Sequence, residues 1–235
     1  MSSRPKWLYA LPNLFTLGSI FCGVWAILQT TSHASGDIAA TDDYFSASLA
    51  IILGSFLDAC DGRVARLTGT QSAFGVQLDS LADVITFGVA PSILLYRWAL
   101  APLGLGGFVV ACVFASCGAL RLARFNVSAA RETGPSNYFT GLPIPLAAGA
   151  VVSVVIAATR APEPRVLPPM AAALMTLVLS YLMVSTVKYH SFKKAKADAK
   201  SLGLVAAVLA IGASIAVLAG PNLVLVSYAV VYIAL

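Results

Sequence analysis

Charge is scarce in this chain: only 11% of its 235 residues are Asp, Glu, Lys or Arg, against roughly a quarter in ordinary soluble domains. With 59% hydrophobic residues and a mean hydropathy of +0.86, a conventional water-soluble globule is excluded. Cysteine is also sparse. Cys22, Cys60, Cys112 and Cys117 lie in or beside apolar runs with no CxxC spacing, which disfavours a structural zinc site and suits free thiols used in packing. The two histidines, His33 and His190, fall in predicted loops and neither reads as a ligand. No cleavable leader pattern is present, so the apolar run after Met1–Lys6 is expected to be retained. Neither a soluble domain nor an internal repeat is discernible. The net charge of +5 points in such a chain to cytoplasmic loops over anionic lipid rather than to nucleic acid.

What is abundant is hydrocarbon in long runs. A bilayer core of about 30 Å takes about 20 mostly apolar residues of helix. Such runs are expected at about 10–28, 44–66, 79–98, 106–125, 142–159, 167–187, 202–219 and 222 to the end. The predicted fold is therefore an all-α, polytopic membrane helix bundle of about eight spans, with Pro12 in the first turn of the first. Between them lie a polar loop at 29–43 without Lys or Arg, a loop at 126–141, and a basic linker at 188–200 suited to anchoring on anionic lipid. With the N-terminus in the cytoplasm, twelve basic residues fall on the cytoplasmic side and three (Arg97, Arg160, Arg165) on the other. That asymmetry is the positive-inside bias.

The stretch from Asp58 to Asp83 breaks the apolar pattern, holding four of the ten acidic residues. Asp58 and Asp61 are three apart and Asp79 and Asp83 four apart, so each pair shares a helix face with side-chain bases about 5–6 Å apart. A hairpin between them gathers all four carboxylates near the cytoplasmic face. Such a cluster repels itself unless protonated or neutralised. An all-oxygen donor set without His or Cys suits Mg²⁺, Mn²⁺ or Ca²⁺, and two such ions would cancel its charge. Acidic residues in membrane helices are costly and point to function; helix caps or ion pairs with Arg63 and Arg66 are the structural alternative.

The pattern Asp58-x2-Asp61-Gly62-x2-Ala65-Arg66-x8-Gly75-x3-Asp79-x3-Asp83 resembles the signature of the CDP-alcohol phosphatidyltransferase family at all eight fixed positions over 26 residues. The segments LPNLFTLGSIFCG, GVQLDSLADVITFGVAPS, ALRLARFN, YFTGLPIPLAAG and MVSTVKYHSFKK are most similar to the phosphatidylserine synthase branch. The resemblance implies one integral-membrane transferase domain over 1–235. It has a six-helix core at about 8–190 and further helices at about 202–235, commonly dimeric, with a polar cavity facing the cytoplasm. It also implies transfer of a phosphatidyl group from CDP-diacylglycerol to L-serine with release of CMP. The implied metal ligands are Asp58, Asp61, Asp79 and Asp83, with Asp83 as general base.

The same resemblance puts Asn13, Thr16, Gly62, Ala65, Arg66 and Gly75 at the CDP-lipid. Small residues at 62 and 65 let a nucleotide approach the backbone, although small-xxx-small positions also serve helix packing. Asn13 and Thr16 suit either the diphosphate or helix–helix hydrogen bonding. Arg66 suits a phosphate or the base, or snorkels to the lipid interface. Gly75 is expected to open the turn between the acid-bearing helices. For the serine carboxylate, Arg121 and Arg124 are the candidate cations, with lipid phosphate or helix anchoring as alternatives; Asn126, Tyr138 and Thr140 add polar groups.

Three other readings remain at this level. A sister transferase could use glycerol phosphate, inositol phosphate or choline, or an archaetidylserine synthase the ether-lipid analogue. A metal or proton transporter also places acids in membrane helices, but spaced through the bilayer and usually in repeated halves. A non-catalytic membrane scaffold would be expected to have lost an aspartate.

Overall fold

The computed structural model describes residues 7–32, 40–131, 138–161, 166–186 and 188–190. Six helices account for most of them: α1 (Trp7–Thr31), α2 (Thr41–Thr68), α3 (Ala73–Leu103), α4 (Leu105–Arg131), α5 (Ile144–Thr159) and α6 (Pro169–Val184). The first four are long and apolar enough to cross a membrane; α5 and α6 are shorter, at 16 residues each. The expected seventh and eighth spans lie outside the described residues, as do His33 and most of the 188–200 linker. The spans seen are longer than expected at α1–α4. Helix α1 starts at Trp7, so Pro12 sits inside it rather than in its first turn. Asn126 belongs to α4 rather than to a loop.

Helix α3 is one rod with two π turns, Val84–Val89 and Tyr96–Leu100. Each ends just before a proline, Pro91 and Pro102. A proline inside a helix removes one N–H and drives its ring against the carbonyl four residues back. Widening the preceding turn relieves that conflict, and the N–H groups of Ala90 and Ala101 bond instead to the carbonyls of Ile85 and Tyr96, five residues back.

Helices α1, α2 and α3 meet where Thr86 of the first π turn enters a notch made by glycines. A Cβ on Gly23 would lie 2.8 Å from Thr86 Oγ1, and one on Gly54 would lie 2.7 Å from Thr86 Cγ2. Thr86 Oγ1 donates to the Ser19 carbonyl at 2.9 Å, so its hydroxyl is satisfied in a dry interface. Helix α5 is embedded against α2, with Ala147, Val151 and Val155 fully buried, and α4 packs along α6. The outer faces are apolar: Phe21 and Leu28 on α1, Phe56 on α2, Phe108 on α4 and Tyr181 on α6 are exposed. An exterior of hydrocarbon around a packed core suits a bilayer.

The two ends of the bundle differ. At one end Arg160 stacks 3.7 Å over the Phe45 ring and lies 3.3 Å from Asp42. There too Tyr44 donates to the Arg97 carbonyl at 3.2 Å. The other end holds the acidic hairpin, the C-terminal parts of α4 and α6, and a feature the all-α expectation did not include. This is an antiparallel ribbon of β1 (Tyr138–Thr140) and β2 (Lys188–His190), in the register Phe139 opposite Tyr189. Gly141 leads out of β1 with φ +80°, and a Cβ there would come within 2.3 Å of the Met183 carbonyl oxygen. Only glycine accommodates both constraints.

Candidate active site

The hairpin between α2 and α3 closes at Gly69. Its φ of 62° is left-handed, its N–H bonds to the Arg66 carbonyl at 3.3 Å, and Thr70 N–H bonds to the Ala65 carbonyl at 3.0 Å. That is a Schellman ending, which satisfies the last carbonyls of α2. Ser72 then caps α3, its Oγ accepting from the Gly75 N–H at 3.0 Å. Gly75 is therefore in the first turn of α3 and does not open the hairpin. Its smallness serves close approach, since a Cβ would stand 3.2 Å from Ser72 Oγ and 3.7 Å from Asn13 Oδ1.

With the hairpin folded this way, carboxylate oxygens of Asp58, Asp61 and Asp79 lie within 4.8 Å of one another. Asp61 is 5% exposed and accepts a 2.6 Å hydrogen bond from Thr16 Oγ1 of α1. Asp58 is within hydrogen-bond range of both Asp79 and Asp83. Asp83 Oδ1 is buried with no partner among the described residues.

Beside the carboxylates opens a cavity of about 430 Å³. Its lining includes Asn13, Thr16, Gly62, Ala65, Arg66 and Gly75, together with Asp61 and Asp79. The structure thus brings all six residues expected at the CDP-lipid into one space. Gly62 meets nothing nearer than Arg66 Nη2 at 4.0 Å, so here its missing side chain leaves room in the cavity rather than a helix contact. Thr70, Gln71 and Ser72 of the hairpin also line this space. Sequence reasoning passed over them as spacer, although their place between the two acid pairs was a signal.

The five residues expected at the acceptor are distributed differently. Arg121 is 8% exposed, within electrostatic range of Asp83, and has Phe125 5.7 Å from its guanidinium. Arg124 turns to the end of α6, where Nη1 donates to the Val184 carbonyl at 2.9 Å and Nη2 to the Ser185 carbonyl at 3.0 Å. Asn126 Nδ2 donates to Ser80 Oγ at 2.8 Å, tying α4 to the acid-bearing part of α3. Tyr138 and Thr140 are the ends of β1.

The donor set passes a test of fit for divalent cations. Three carboxylates converge with no His or Cys among them, an adjacent fourth has an orphaned buried oxygen, and no Lys or Arg contacts the trio among the described residues. Unneutralised, such a group is costly in a low-dielectric setting; hard cations held by oxygen offset that cost.

Helices long and apolar enough to cross a membrane, with carboxylates placed beside a cavity where they could hold a metal ion, define the class: an integral membrane protein with a candidate cation site. Comparison with known proteins makes the class specific. Residues 9–181 match the CDP-alcohol phosphatidyltransferase family, and the chain belongs to it. A CDP-diacylglycerol–serine O-phosphatidyltransferase of Helicobacter pylori is 40% identical over 198 residues, covering 84% of this chain and 79% of that protein. The Bacillus subtilis protein of the same name is 38% identical, covering 80% and 94%. An archaetidylserine synthase of Methanothermobacter thermautotrophicus is 36% identical, covering 77% and 69%.

Proposed function

We propose that this chain transfers a phosphatidyl group from CDP-diacylglycerol to L-serine, releasing CMP and forming phosphatidylserine. The observation that carries the reading is the convergence of Asp58, Asp61 and Asp79 beside a cavity lined by Asp61 and Asp79 together with Gly62, Ala65, Arg66 and Gly75 of the same signature. Asn13, Gly62, Ala65, Arg66 and Gly75 receive the cytidine diphosphate portion, with the lipid tails running out between the apolar helices. Asp58, Asp61 and Asp79, joined by Asp83, hold one or two divalent ions. Divalent ions held there would supply positive charge to offset the diphosphate and Lewis acidity toward the phosphorus.

In the reaction the serine hydroxyl oxygen attacks the lipid-linked phosphorus. A new P–O bond forms, the anhydride P–O bond breaks, and CMP leaves with its electron pair. Asp83 takes the hydroxyl proton, as the acid of the four that interacts with Arg121 of α4. Positive-inside bias supports a site open to the cytoplasm, where CDP-activated lipid and serine are met.

The test is CMP release by purified protein given CDP-diacylglycerol, Mn²⁺ or Mg²⁺, and a panel of alcohols. Release that depends on L-serine is expected. Release only with a phosphorylated polyol would overturn the acceptor, and no release with any alcohol would overturn the transferase reading.

A further inference from the structure

We infer that Arg121 is the residue that clamps the carboxylate of the acceptor, and that Arg124, its neighbour one helical turn on, is committed to the fold. The inference rests on the serine-transfer reading above and assigns its specificity to one side chain.

Arg121 is buried at 8% exposure on α4, in a segment apolar enough to span a membrane. Among the described residues it makes no hydrogen bond and no contact ion pair, and its Nε is buried without a partner. A guanidinium has five donors and no way to lose its charge, so leaving it unsatisfied in a dry place is expensive. The opposite charge that acts on it is Asp83, with no contact ion pair between them among the described residues. Arg121 and Asp83 each keep a buried polar atom without a partner among the described residues, and a ligand that offers an anion to one and a proton to the other would satisfy both. Serine offers both, a carboxylate for Arg121 and a hydroxyl for Asp83.

Arg124 is spent elsewhere. Both of its Nη atoms donate to the last carbonyls of α6, which otherwise lack partners at a helix end. This division also bears on the class of acceptor. A carboxylate carries a single charge and matches one guanidinium fork to fork. A phosphate monoester carries about −1.5 to −2 at neutral pH and would call for a second cation, which Arg124 is not placed to supply.

The measurement is CMP release by the full-length protein in detergent with saturating Mn²⁺. Three acceptors are compared: L-serine, L-serinamide (whose carboxylate has become a neutral amide), and sn-glycerol 3-phosphate. For Arg121→Gln, loss of a charge-assisted fork predicts a KM for serine raised about ten- to a hundredfold. The KM for CDP-diacylglycerol is expected to stay near wild type, the preference for serine over serinamide to fall by the same factor, and the thermal midpoint not to drop, since a buried unsatisfied charge has been removed. Equal losses with serine and serinamide, or a raised KM for CDP-diacylglycerol instead, would overturn the clamp and hand Arg121 to the lipid phosphate. Arg121→Lys keeps the charge without the fork, and it decides the matter if the glutamine variant does not fold. Discrimination against serine alone supports the assignment, and uniform loss refutes it. Wild-type protein that releases CMP with glycerol 3-phosphate but not serine would overturn the transfer reading itself, a result distinct from failure of the clamp.

Discussion

Thr16 of α1 donates a 2.6 Å hydrogen bond to Oδ2 of Asp61 on α2, and it also reaches the Pro12 carbonyl at 3.2 Å. The contact aims one carboxylate of the cluster from a helix that carries none of the acids, and so makes α1 a supporting wall of the proposed metal site. Groups that orient a ligand typically matter by about 10–100-fold in metal affinity. Thr16→Val keeps the shape and removes the donor. The Mn²⁺ concentration for half-maximal activity is expected to rise within that range, with Thr16→Ser close to wild type. A metal titration of CMP release measures it, and an unchanged midpoint for the valine variant would sink the role given to Thr16.

If the carboxylate cluster repels itself until cations bind, metal stabilises the fold as well as the reaction. A ligand that binds only the folded state at a hundred times its dissociation constant adds about 2.7 kcal/mol. The thermal midpoint in detergent is therefore expected to rise with added Mn²⁺ or Mg²⁺ and to fall on chelation. Asp79→Asn, which removes one of the like charges, is expected to shrink the response while raising the midpoint of the metal-free protein. A midpoint indifferent to metal would contradict divalent binding at this cluster.

The notch that receives Thr86 makes a prediction about packing alone. A methyl group on Gly23 would stand 2.9 Å from Thr86 Cα, so backbone must move. Overpacking of that kind costs about 1–3 kcal/mol. A methyl group on Gly149 of α5 meets nothing within 4 Å. Gly23→Ala is expected to lower the thermal midpoint by several degrees while Gly149→Ala leaves it level or slightly raised. Equal effects would mean that α1 and α3 are not in the close contact described.

Much of this arrangement was legible in the residues because charge is so costly in hydrocarbon: four aspartates at helical spacing among apolar runs have few structural uses. The spans were legible for the same reason, from hydropathy over some twenty residues. What eluded the sequence was whatever depended on contacts between distant segments. Gly69 and Gly75 both suit a turn, and only the Schellman bonds of Thr70 and Gly69 with the ends of Ala65 and Arg66 separate them. Arg121 and Arg124 lie on one helix three residues apart, and only the position of the α6 terminus reveals which of them is occupied. A ribbon of three residues per strand carries too little alternation to announce itself.

Asp83 is proposed both as a metal ligand and as the base, and the geometry allows the two roles to be told apart. The trio of converging oxygens comes from Asp58, Asp61 and Asp79, while Asp83 joins through Asp58 and keeps one buried oxygen unpartnered. Asp83→Asn is nearly isosteric and keeps an oxygen for coordination, but it cannot accept the serine proton. A missing general base costs roughly 10²–10⁴ in turnover. The variant is expected to lose at least that much kcat while binding CDP-diacylglycerol, and responding to Mn²⁺ in thermal stability, much as wild type does. Loss of the metal response together with activity would make Asp83 mainly a ligand. Turnover near normal would remove it from the chemistry and shift the search for the base to another group facing Arg121.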